Sequence, residues 1–310
     1  MINNFVNLKD VSALDLRKIV SDAKKRKSKR RKYSTLDVDK DKPLKGKFLI
    51  QMFEKSSLRT RLSFYLAVKQ LGGGVLTLRP DELHLNKGGE SIADTAKIIS
   101  TYGDGFILRT DNEEKLEEFK KFLKIPIING LSPSSHPTQV LSDIFSIEEI
   151  KKKTISKLNI CWIGDSNNVL DSLIAASVKF SFKLSIGCPK KFEPGREVRA
   201  WVKKNNNQIY IYNDWKKAVS GADVIFSDKV ISLNDKVNKT KKIKAFKNFK
   251  IDKKLMGYAK KSCIFLHCLP RGDEVSDDVF LGKQSHVWQQ ALNRVHVQKS
   301  ILLYCFGKLR

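Results

Sequence analysis

The segment Phe53–Arg61 carries the residue types that bind a phosphate group. It reads Phe-Glu-Lys-Ser-Ser-Leu-Arg-Thr-Arg and places two hydroxyl groups, of Ser57 and Thr60, beside two guanidinium groups, of Arg59 and Arg61. An apolar-periodic stretch follows and predicts a helix that begins in this turn. Backbone N–H groups at a helix N-terminus, hydroxyl donors and arginine side chains together suit a phosphate dianion. The alternative is an ordinary charged helix start.

Two later segments add groups that suit an anion with a carbonyl group. Arg109 ends a predicted strand, and with Arg59 it could clamp an anion from two sides, because guanidinium groups bind bidentately. A surface ion pair is the alternative for Arg109. In His136-Pro-Thr-Gln139, the imidazole could hydrogen-bond a carbonyl oxygen and the amide could bind an NH2 group, although a lone histidine is more often structural.

The segment Gly164-Asp-Ser-Asn-Asn168 follows a predicted strand, but it does not have the G-x-G-x-x-G pattern of a dinucleotide site. Its adjacent amides, Asn167 and Asn168, could hold the carboxylate of a zwitterion. In the alternative interpretation, Asp165 or Ser166 caps the helix that follows.

Residues that suit an amine and nucleophilic chemistry occur further along the chain. Asp228 and Ser232 could bind an amine, and a carboxylate there would steer an amino-acid substrate; a loop aspartate is the alternative. His267 and Cys268 suggest a Cys–His nucleophile. Because adjacent residues on a strand point to opposite faces, we do not expect a direct pair.

The elements that must position these residues alternate between short apolar strands and helices. We predict strands at 47–53, 75–78, 105–109, 125–129, 158–164, 184–187, 209–211, 223–227 and 263–267. We predict helices at 9–32, after the turn at 57–61, at 91–102 and 113–123, from 135 onward, and at 168–180, 195–204, 215–219, 253–259 and 288–306. Such alternation implies an α/β fold with two tandem parallel-sheet domains, divided near the lysines at 151–153. Ligand groups in such sheets lie at the carboxyl ends of strands, where the polar residues fall, so we expect the active site in the cleft between the domains.

The composition of the 310-residue chain fits two domains and excludes several classes of protein. The sequence has no run of about 18 apolar residues that would predict a membrane helix, and its N-terminus lacks the features of a signal or transit peptide. The five cysteines are dispersed without a C-x-x-C pair, which is typical of a cytoplasmic protein. No Cys/His spacing indicates a zinc site, and we expect no metal.

The formal net charge of +26 favours polyanions in general. Basic residues are densest at 24–32 and again at 239–250. These runs carry no interleaved aromatic residues, and no helix-turn-helix or finger spacing occurs. We therefore interpret them as a solvated helix end and a solvated loop, and we do not expect nucleic-acid or membrane binding.

Taken in order, these motifs resemble the aspartate/ornithine transcarbamylase family, and within it most closely the ornithine carbamoyltransferases. The resemblance covers almost the whole chain. It rests on Phe53–Arg61, Gly89-Glu-Ser-Ile-Ala-Asp-Thr95, His136-Pro-Thr-Gln139, Gly164-Asp-Ser-Asn-Asn168, His267-Cys-Leu-Pro270 and Gln290-Ala-Leu-Asn-Arg294. The His-Cys-Leu-Pro element points to ornithine, because the sequences of the aspartate enzymes look like His-Pro-Leu-Pro at this position.

The resemblance implies a role for each candidate residue. The carbamoyl phosphate ligands would be Ser57, the backbone N–H of Leu58, Arg59, Thr60, Arg109, His136, Gln139, Cys268, Leu269 and Arg294. The ornithine ligands would be Asn168, Asp228, Ser232 and Leu233. Arg109, His136 and Cys268 would be catalytic, with Cys268 and Leu269 beside the reacting amine.

The family's organisation gives further expectations. A carbamoyl-phosphate-binding domain would span 1–147, with the C-terminal helix at 288–310 packing back on it, and an ornithine-binding domain would span 148–287. The reaction would give citrulline and phosphate without a cofactor, in arginine biosynthesis or, in reverse, in arginine catabolism. The family forms trimers with sites at subunit interfaces, so the segment at 87–90 would reach a neighbour's site.

Two departures from the family pattern leave alternatives open. Leu58 stands where the family usually has a hydroxyl residue. The ornithine loop, usually Asp-x-Trp-x-Ser-Met-Gly, is Asp228-Lys-Val-Ile-Ser-Leu-Asn234, with Val230 in place of the tryptophan. A transcarbamylase acting on putrescine, an N-acylated ornithine or aspartate is one alternative. A non-catalytic, basic, nucleic-acid-binding relative is the other.

Overall fold

A computed structural model describes residues 2–79, 89–205, 208–231 and 239–309. The chain divides into two compact units: unit 1 is Met1–Phe145 with Leu292–Arg310, and unit 2 is Ser146–Ala291. The predicted ornithine ligands Ser232 and Leu233 lie outside the described residues, as do Asn234 and the first half of the segment at 87–90.

Unit 1 is built on a parallel sheet. Its strands are β1 (Phe48–Phe53), β2 (Gly74–Leu78), β3 (Gly105–Arg109) and β4 (Ile127–Leu131). Its helices are α1 (Ala13–Lys29), α2 (Leu58–Gln70), α3 (Ile92–Tyr102) and α4 (Glu113–Phe122). It also contains α5 (Pro137–Lys151) as far as Phe145 and α12 (Val287–Cys305) from Leu292 onward. The strand order is β2-β1-β3-β4, and every pair is parallel.

Unit 2 is built on a second parallel sheet. Its strands are β5 (Asn159–Ile163), β6 (Lys183–Gly187), β7 (Ile209–Tyr212), β8 (Val224–Ser227) and β9 (Ile264–His267). Its helices are α6 (Asn168–Phe180), α7 (Arg196–Asn205), α8 (Trp215–Val219), α9 (Lys239–Phe246), α10 (Lys253–Gly257) and α11 (Asp277–Phe280). The strand order is β7-β6-β5-β8-β9. The predicted class, two parallel-sheet α/β domains, is confirmed.

Local sequence explains where most of these elements begin. The central strands are apolar runs buried on both faces, as expected for a parallel sheet covered by helices; β8, for example, is buried throughout. Many helices begin at a short polar side chain that accepts a hydrogen bond from a backbone N–H of the first turn. These capping residues are Ser12, Ser91, Asn112, Asn167, Asp214 and Asp252.

The lysine-rich stretch at 239–250 is not the solvated loop that we predicted. It forms α9 and a short 3-10 turn, and Lys242, Phe246 and Phe249 are buried. The two phenylalanines belong to the apolar core of unit 2. Their burial outweighs the polar character of the surrounding lysines, whose long side chains can leave a helix surface for solvent.

The basic run at 24–32 is also not fully solvated, because one buried carboxylate neutralises part of it. Asp39 accepts from Arg30 at 2.7 Å and from Arg26 at 3.1 Å, and Lys299 of α12 lies 2.6 Å from the same carboxylate. The Lys299 side chain has no exposed area, and burial lowers its pKa to about 8. This cluster joins the end of α1 to α12 within unit 1.

We predict that Asp39→Asn lowers the free energy of unfolding by about 3–5 kcal/mol, because it leaves buried cations without their counter-charge. Denaturant unfolding measures the change. Asp41→Asn is the matched control: its carboxylate also binds Arg26 but is 57% exposed, so a loss below about 1 kcal/mol is expected. Equal losses in the two variants would contradict this account of the cluster.

Candidate active site

Unit 1 brings an arginine and a helix N-terminus together where its strand order reverses. The chain leaves β1 toward β2 on one side, whereas β3 lies on the other side of β1, and Phe53 at the end of β1 pairs with Arg109 at the end of β3. Helix α2 begins at Leu58, shortly after β1. Nη1 of Arg109 donates a 3.0 Å hydrogen bond to Oγ of Ser57, the residue before α2.

A second arginine reaches the same helix turn from the far end of the chain. Arg294 of α12 donates a 2.7 Å hydrogen bond from Nη2 to Oγ1 of Thr60, in the first turn of α2. Both side chains are buried. The fold thus joins the predicted residues Ser57, Thr60, Arg109 and Arg294 at one helix N-terminus.

His136 lies in this cationic environment. It precedes α5 and is buried. Burial lowers its pKa well below 6.5, and the positive charges of Arg294, Arg109 and Arg59 lower it further. The imidazole is therefore neutral at neutral pH and can donate a hydrogen bond without carrying charge.

Burial and neighbouring positive charge also act on Arg109. Burial, together with the charge of Arg59, lowers the pKa of Arg109. Among the described residues, none accepts a hydrogen bond from the buried Nε of Arg109. An anion at this position would relieve the repulsion between the arginines and supply hydrogen-bond acceptors.

The two remaining predicted residues of unit 1 differ in their setting. Gln139 is buried, and its amide nitrogen donates to Oδ1 of Asp143 at 2.8 Å, which fixes the orientation of the amide. Leu58 has 72% of its side chain exposed at the start of α2. Only its backbone N–H is suited to bind an anion.

Unit 2 has its own reversal of strand order, between β5 and β8. Asn167 follows β5 and donates a 3.0 Å hydrogen bond from its amide nitrogen to Oδ2 of Asp228, which follows β8. Its amide oxygen accepts from the N–H groups of Val169 and Leu170 and so caps α6. The cap is therefore Asn167, and the interpretation of Asp165 or Ser166 as the cap was wrong.

Asp165 has a different role, because its carboxylate lies 2.5 Å from Nζ of Lys242 on α9. The Lys242 side chain is 3% exposed, so this is a buried ion pair. Asn168, the predicted ornithine ligand, is the first residue of α6. Burial raises the pKa of Asp228, which favours a cationic ligand beside this carboxylate.

His267 does not act as a base for Cys268. Its Nδ1 accepts a 2.9 Å hydrogen bond from the backbone N–H of Leu269, and its Nε2 lies 3.2 Å from Oε1 of Glu274. Both ring nitrogens are thus engaged elsewhere, in agreement with the expectation that no direct pair forms. Cys268 is buried, and all five cysteines are free thiols.

Sequence reasoning missed two residues of this region, Lys242 and Glu274. It named Asn167 but missed its contact to Asp228 and its role as the cap of α6, which its position one residue before the helix could have indicated. Lys242 and Glu274 carry no local signal, because their partners are distant in the sequence. In the ranges that the structure describes, no group of three or more His, Cys, Asp or Glu side chains could hold a metal ion, and no helix is long and apolar enough to cross a membrane.

The fold is that of a two-domain α/β protein, with a candidate anion site in one domain and a buried carboxylate suited to a cation in the other. Residues 3–149 match the family model described as the aspartate/ornithine carbamoyltransferase carbamoyl-P binding domain, and residues 156–305 match the corresponding Asp/Orn binding domain. The chain belongs to the aspartate/ornithine carbamoyltransferase family.

The chain is similar to several ornithine carbamoyltransferases. Ornithine carbamoyltransferase from Agrobacterium fabrum is 39% identical over 98% of this chain and 98% of its own, and that from Rhizorhabdus wittichii is 38% identical over the whole of both chains. Among solved structures, ornithine carbamoyltransferase from Pyrococcus furiosus has a TM-score of 0.91 and 36% identity, covering 99% of this chain and 98% of its own. The anabolic enzyme from Campylobacter jejuni has a TM-score of 0.88 and 34% identity, covering 99% and 100%.

We predict that Leu58→Thr tightens the binding of carbamoyl phosphate about threefold to tenfold, because it adds one hydroxyl donor at the start of α2. Calorimetric titration measures the dissociation constant. Leu62→Thr is the control, since Leu62 is also exposed on α2 but lies one turn further along. An unchanged dissociation constant in Leu58→Thr would show that this side chain does not face the anion.

Proposed function

We propose that this chain transfers the carbamoyl group of carbamoyl phosphate to the δ-amine of L-ornithine, giving L-citrulline and phosphate. The observation that carries the proposal is the neutral His136 held among Arg59, Arg109 and Arg294 at the N-terminus of α2. This set offers charge for a phosphate dianion and neutral donors for a carbonyl oxygen. The names of the relatives support the same reaction.

In this proposal, unit 1 binds carbamoyl phosphate. The phosphate accepts from the first backbone N–H groups of α2, including those of Leu58 and Thr60, from the Ser57 hydroxyl, and from Arg59 and Arg109. Gln139 directs its amide oxygen to the carbamoyl NH2 group, since its amide nitrogen is held by Asp143.

The carbonyl oxygen receives hydrogen bonds from His136, Thr60, Arg109 and Arg294. These donors stabilise the negative charge that develops on that oxygen as the neutral δ-amine attacks the carbonyl carbon. The tetrahedral intermediate then expels phosphate, and the proton that the amine loses passes to an oxygen of the departing phosphate. Positioning and electrostatics supply the rate enhancement, and the reaction requires no redox step.

Unit 2 binds ornithine. Asp228 accepts from the α-ammonium group, and Asn168 donates to the α-carboxylate. Cys268 and Leu269 lie beside the reacting amine. Ornithine is favoured over an N-acylated ornithine, which lacks the α-ammonium group that the buried Asp228 would bind. It is favoured over putrescine because putrescine lacks the α-carboxylate that Asn168 would bind.

A colorimetric ureido assay with carbamoyl phosphate tests the function. Ornithine, putrescine, N-acetylornithine and aspartate are offered separately, and the product is identified by mass spectrometry. We expect citrulline with ornithine and at least 100-fold lower rates with N-acetylornithine, which leaves the buried Asp228 carboxylate without a cation. Putrescine, which lacks the α-carboxylate, and aspartate, which lacks the δ-amine, should also react more slowly than ornithine. Efficient reaction with another amine would reassign the acceptor, and no product with any amine would overturn the proposal.

We predict that His136 contributes no ionisation to the binding of carbamoyl phosphate between about pH 6 and pH 8. Its pKa lies well below 6.5, so the ring is neutral throughout this range and becomes protonated only at lower pH. Calorimetric titrations at several pH values in this range should give the same dissociation constant. Affinity that rises steadily as the pH falls from 8 to about 6 would indicate an imidazolium ligand and contradict the assignment.

A second prediction concerns the acceptor site. Asp228→Asn should raise the KM for ornithine about 100-fold, because the α-ammonium loses a buried counter-charge, while the KM for carbamoyl phosphate changes less than about threefold. Steady-state kinetics with each substrate varied in turn measures both. Equal effects on both KM values would indicate a general loss of structure.

We further propose that three copies of the chain assemble, and that unit 1 supplies part of the interface. An apolar cavity of about 390 Å³ lies between β2, at one end of the sheet order, and α3. Leu76, Ile98 and Tyr102 on its walls are 46%, 50% and 75% exposed. An apolar patch of this kind beside a terminal strand is suited to a second copy of the chain.

We predict that Leu76→Lys dissociates the assembly, because it places a charge in an apolar interface. Light scattering coupled to size-exclusion chromatography should give the mass of three chains for the wild type and a smaller mass for the variant. Leu14→Lys, at a 65% exposed position of α1, is the control and should leave the mass unchanged. A Leu76→Lys variant with the wild-type mass would exclude this surface.

The cellular setting follows from the proposed reaction. Synthesis of citrulline places the chain in arginine biosynthesis. The five free thiols support a cytoplasmic location, where the glutathione pool keeps cysteines reduced.

A further inference from the structure

Glu274 connects two segments of unit 2 that the proposed function uses separately. Its side chain is 6% exposed, and its Oε2 accepts from the backbone N–H of Val230 at 3.3 Å. Its Oε1 accepts from the backbone N–H of Gly272 at 2.5 Å and lies 3.2 Å from Nε2 of His267. Val230 follows Asp228 by two residues, and His267 precedes Leu269 by two.

The hydrogen bonds settle which nitrogen of His267 carries the proton. The N–H of Leu269 donates to Nδ1, so Nδ1 has a free electron pair and no proton. The proton of the neutral ring is therefore on Nε2, where it is donated to Glu274. Glu274 thus selects the tautomer in which His267 can accept from Leu269.

The His267 ring is also fixed in orientation. Its centroid lies 6.2 Å from that of Phe265 and 6.4 Å from that of Phe280, and its own backbone N–H donates to Oε1 of Gln290 at 3.1 Å. The side chain has no exposed area. A ring held in this way offers its Nδ1 at one position only.

Leu269 needs such an anchor, because its backbone is strained. Its φ angle is 58°, in the left-handed region that non-glycine residues seldom adopt. Conformations of this kind persist only where surrounding contacts enforce them. The bond from Leu269 N–H to His267 is such a contact.

We propose that Glu274 and His267 are positioning residues that set the backbone of Cys268 and Leu269 in register with the segment that carries Asp228. The inference rests on the proposed function: Asp228 binds the α-ammonium end of ornithine, and the Leu269 backbone lies beside the reacting δ-amine. One carboxylate thereby holds both ends of the acceptor site at a fixed separation. Neither residue touches the substrate.

Two substitutions of His267 separate its two hydrogen bonds. His267→Asn places an amide oxygen near the position of Nδ1 and keeps the acceptor for Leu269, whereas His267→Gln reaches toward Glu274 and loses that acceptor. We expect kcat to fall at least tenfold in His267→Gln and less than about threefold in His267→Asn. The dissociation constant for carbamoyl phosphate should stay at the wild-type value in both. Equal kcat values in the two variants would overturn the proposal.

Glu274→Gln tests the other end of the connection. Its amide oxygen can still accept from His267 and Gly272, but its NH2 group faces the N–H of Val230 and displaces the Asp228 segment. We expect the KM for ornithine to rise about tenfold with kcat nearly unchanged. Asp273→Asn, at the exposed neighbouring position, is the control and should match the wild type. An unchanged KM in Glu274→Gln would overturn the role of Glu274.

A readout without turnover keeps the two proposals apart. Nitrogen-15 spectra of histidine-labelled protein, assigned with His267→Asn, should show His267 protonated on Nε2 and unprotonated on Nδ1 at neutral pH. The opposite tautomer or a doubly protonated ring would overturn the proposed hydrogen bonds of His267 to Glu274 and Leu269. A wild-type chain that makes no ureido product would instead overturn the proposed function, while the spectrum would still decide the hydrogen bonds.

Discussion

The reversal of strand order inside each parallel sheet is the constraint on which both candidate sites depend. Neighbouring strands β1 and β3, and likewise β5 and β8, send the chain to opposite sides of their sheet. Where two crossovers run to opposite sides of a sheet, they leave a crevice at the carboxyl ends of the two strands, and polar side chains there are available for a ligand. Arg109 and the start of α2 occupy one such position, and Asn167 and Asp228 occupy the other.

Two groups of cations in unit 1 have different surroundings and different roles. Around Asp39, Arg26, Arg30 and Lys299 share one buried carboxylate, and this cluster joins α1 to α12. Around His136, burial lowers the pKa of the histidine, and the charges of three arginines lower it further. Repulsion built into the second group is relieved by an anion, so it is suited to binding.

The sequence predicted the parts of the structure that depend on local patterns. Each predicted strand exists, most within two residues of its predicted ends, and Ser57, Thr60, Arg109 and Arg294 meet as expected. The errors have tertiary causes. Helix α9 was taken for a loop because its lysines hide two core phenylalanines, and Glu274 was missed because its three contacts come from separate segments. The roles assigned to the site residues stay predictions until they are measured.

The central claim is that Arg59, in the first turn of α2, binds carbamoyl phosphate. Calorimetric titration of carbamoyl phosphate into wild type, Arg59→Ala and Arg61→Ala tests it most directly, because Arg61 is an exposed arginine on the same helix turn. The account predicts that Arg59→Ala weakens binding by about tenfold to 100-fold, the value of a charge-assisted hydrogen bond, while Arg61→Ala binds like the wild type. Equal affinity of Arg59→Ala and the wild type would contradict it.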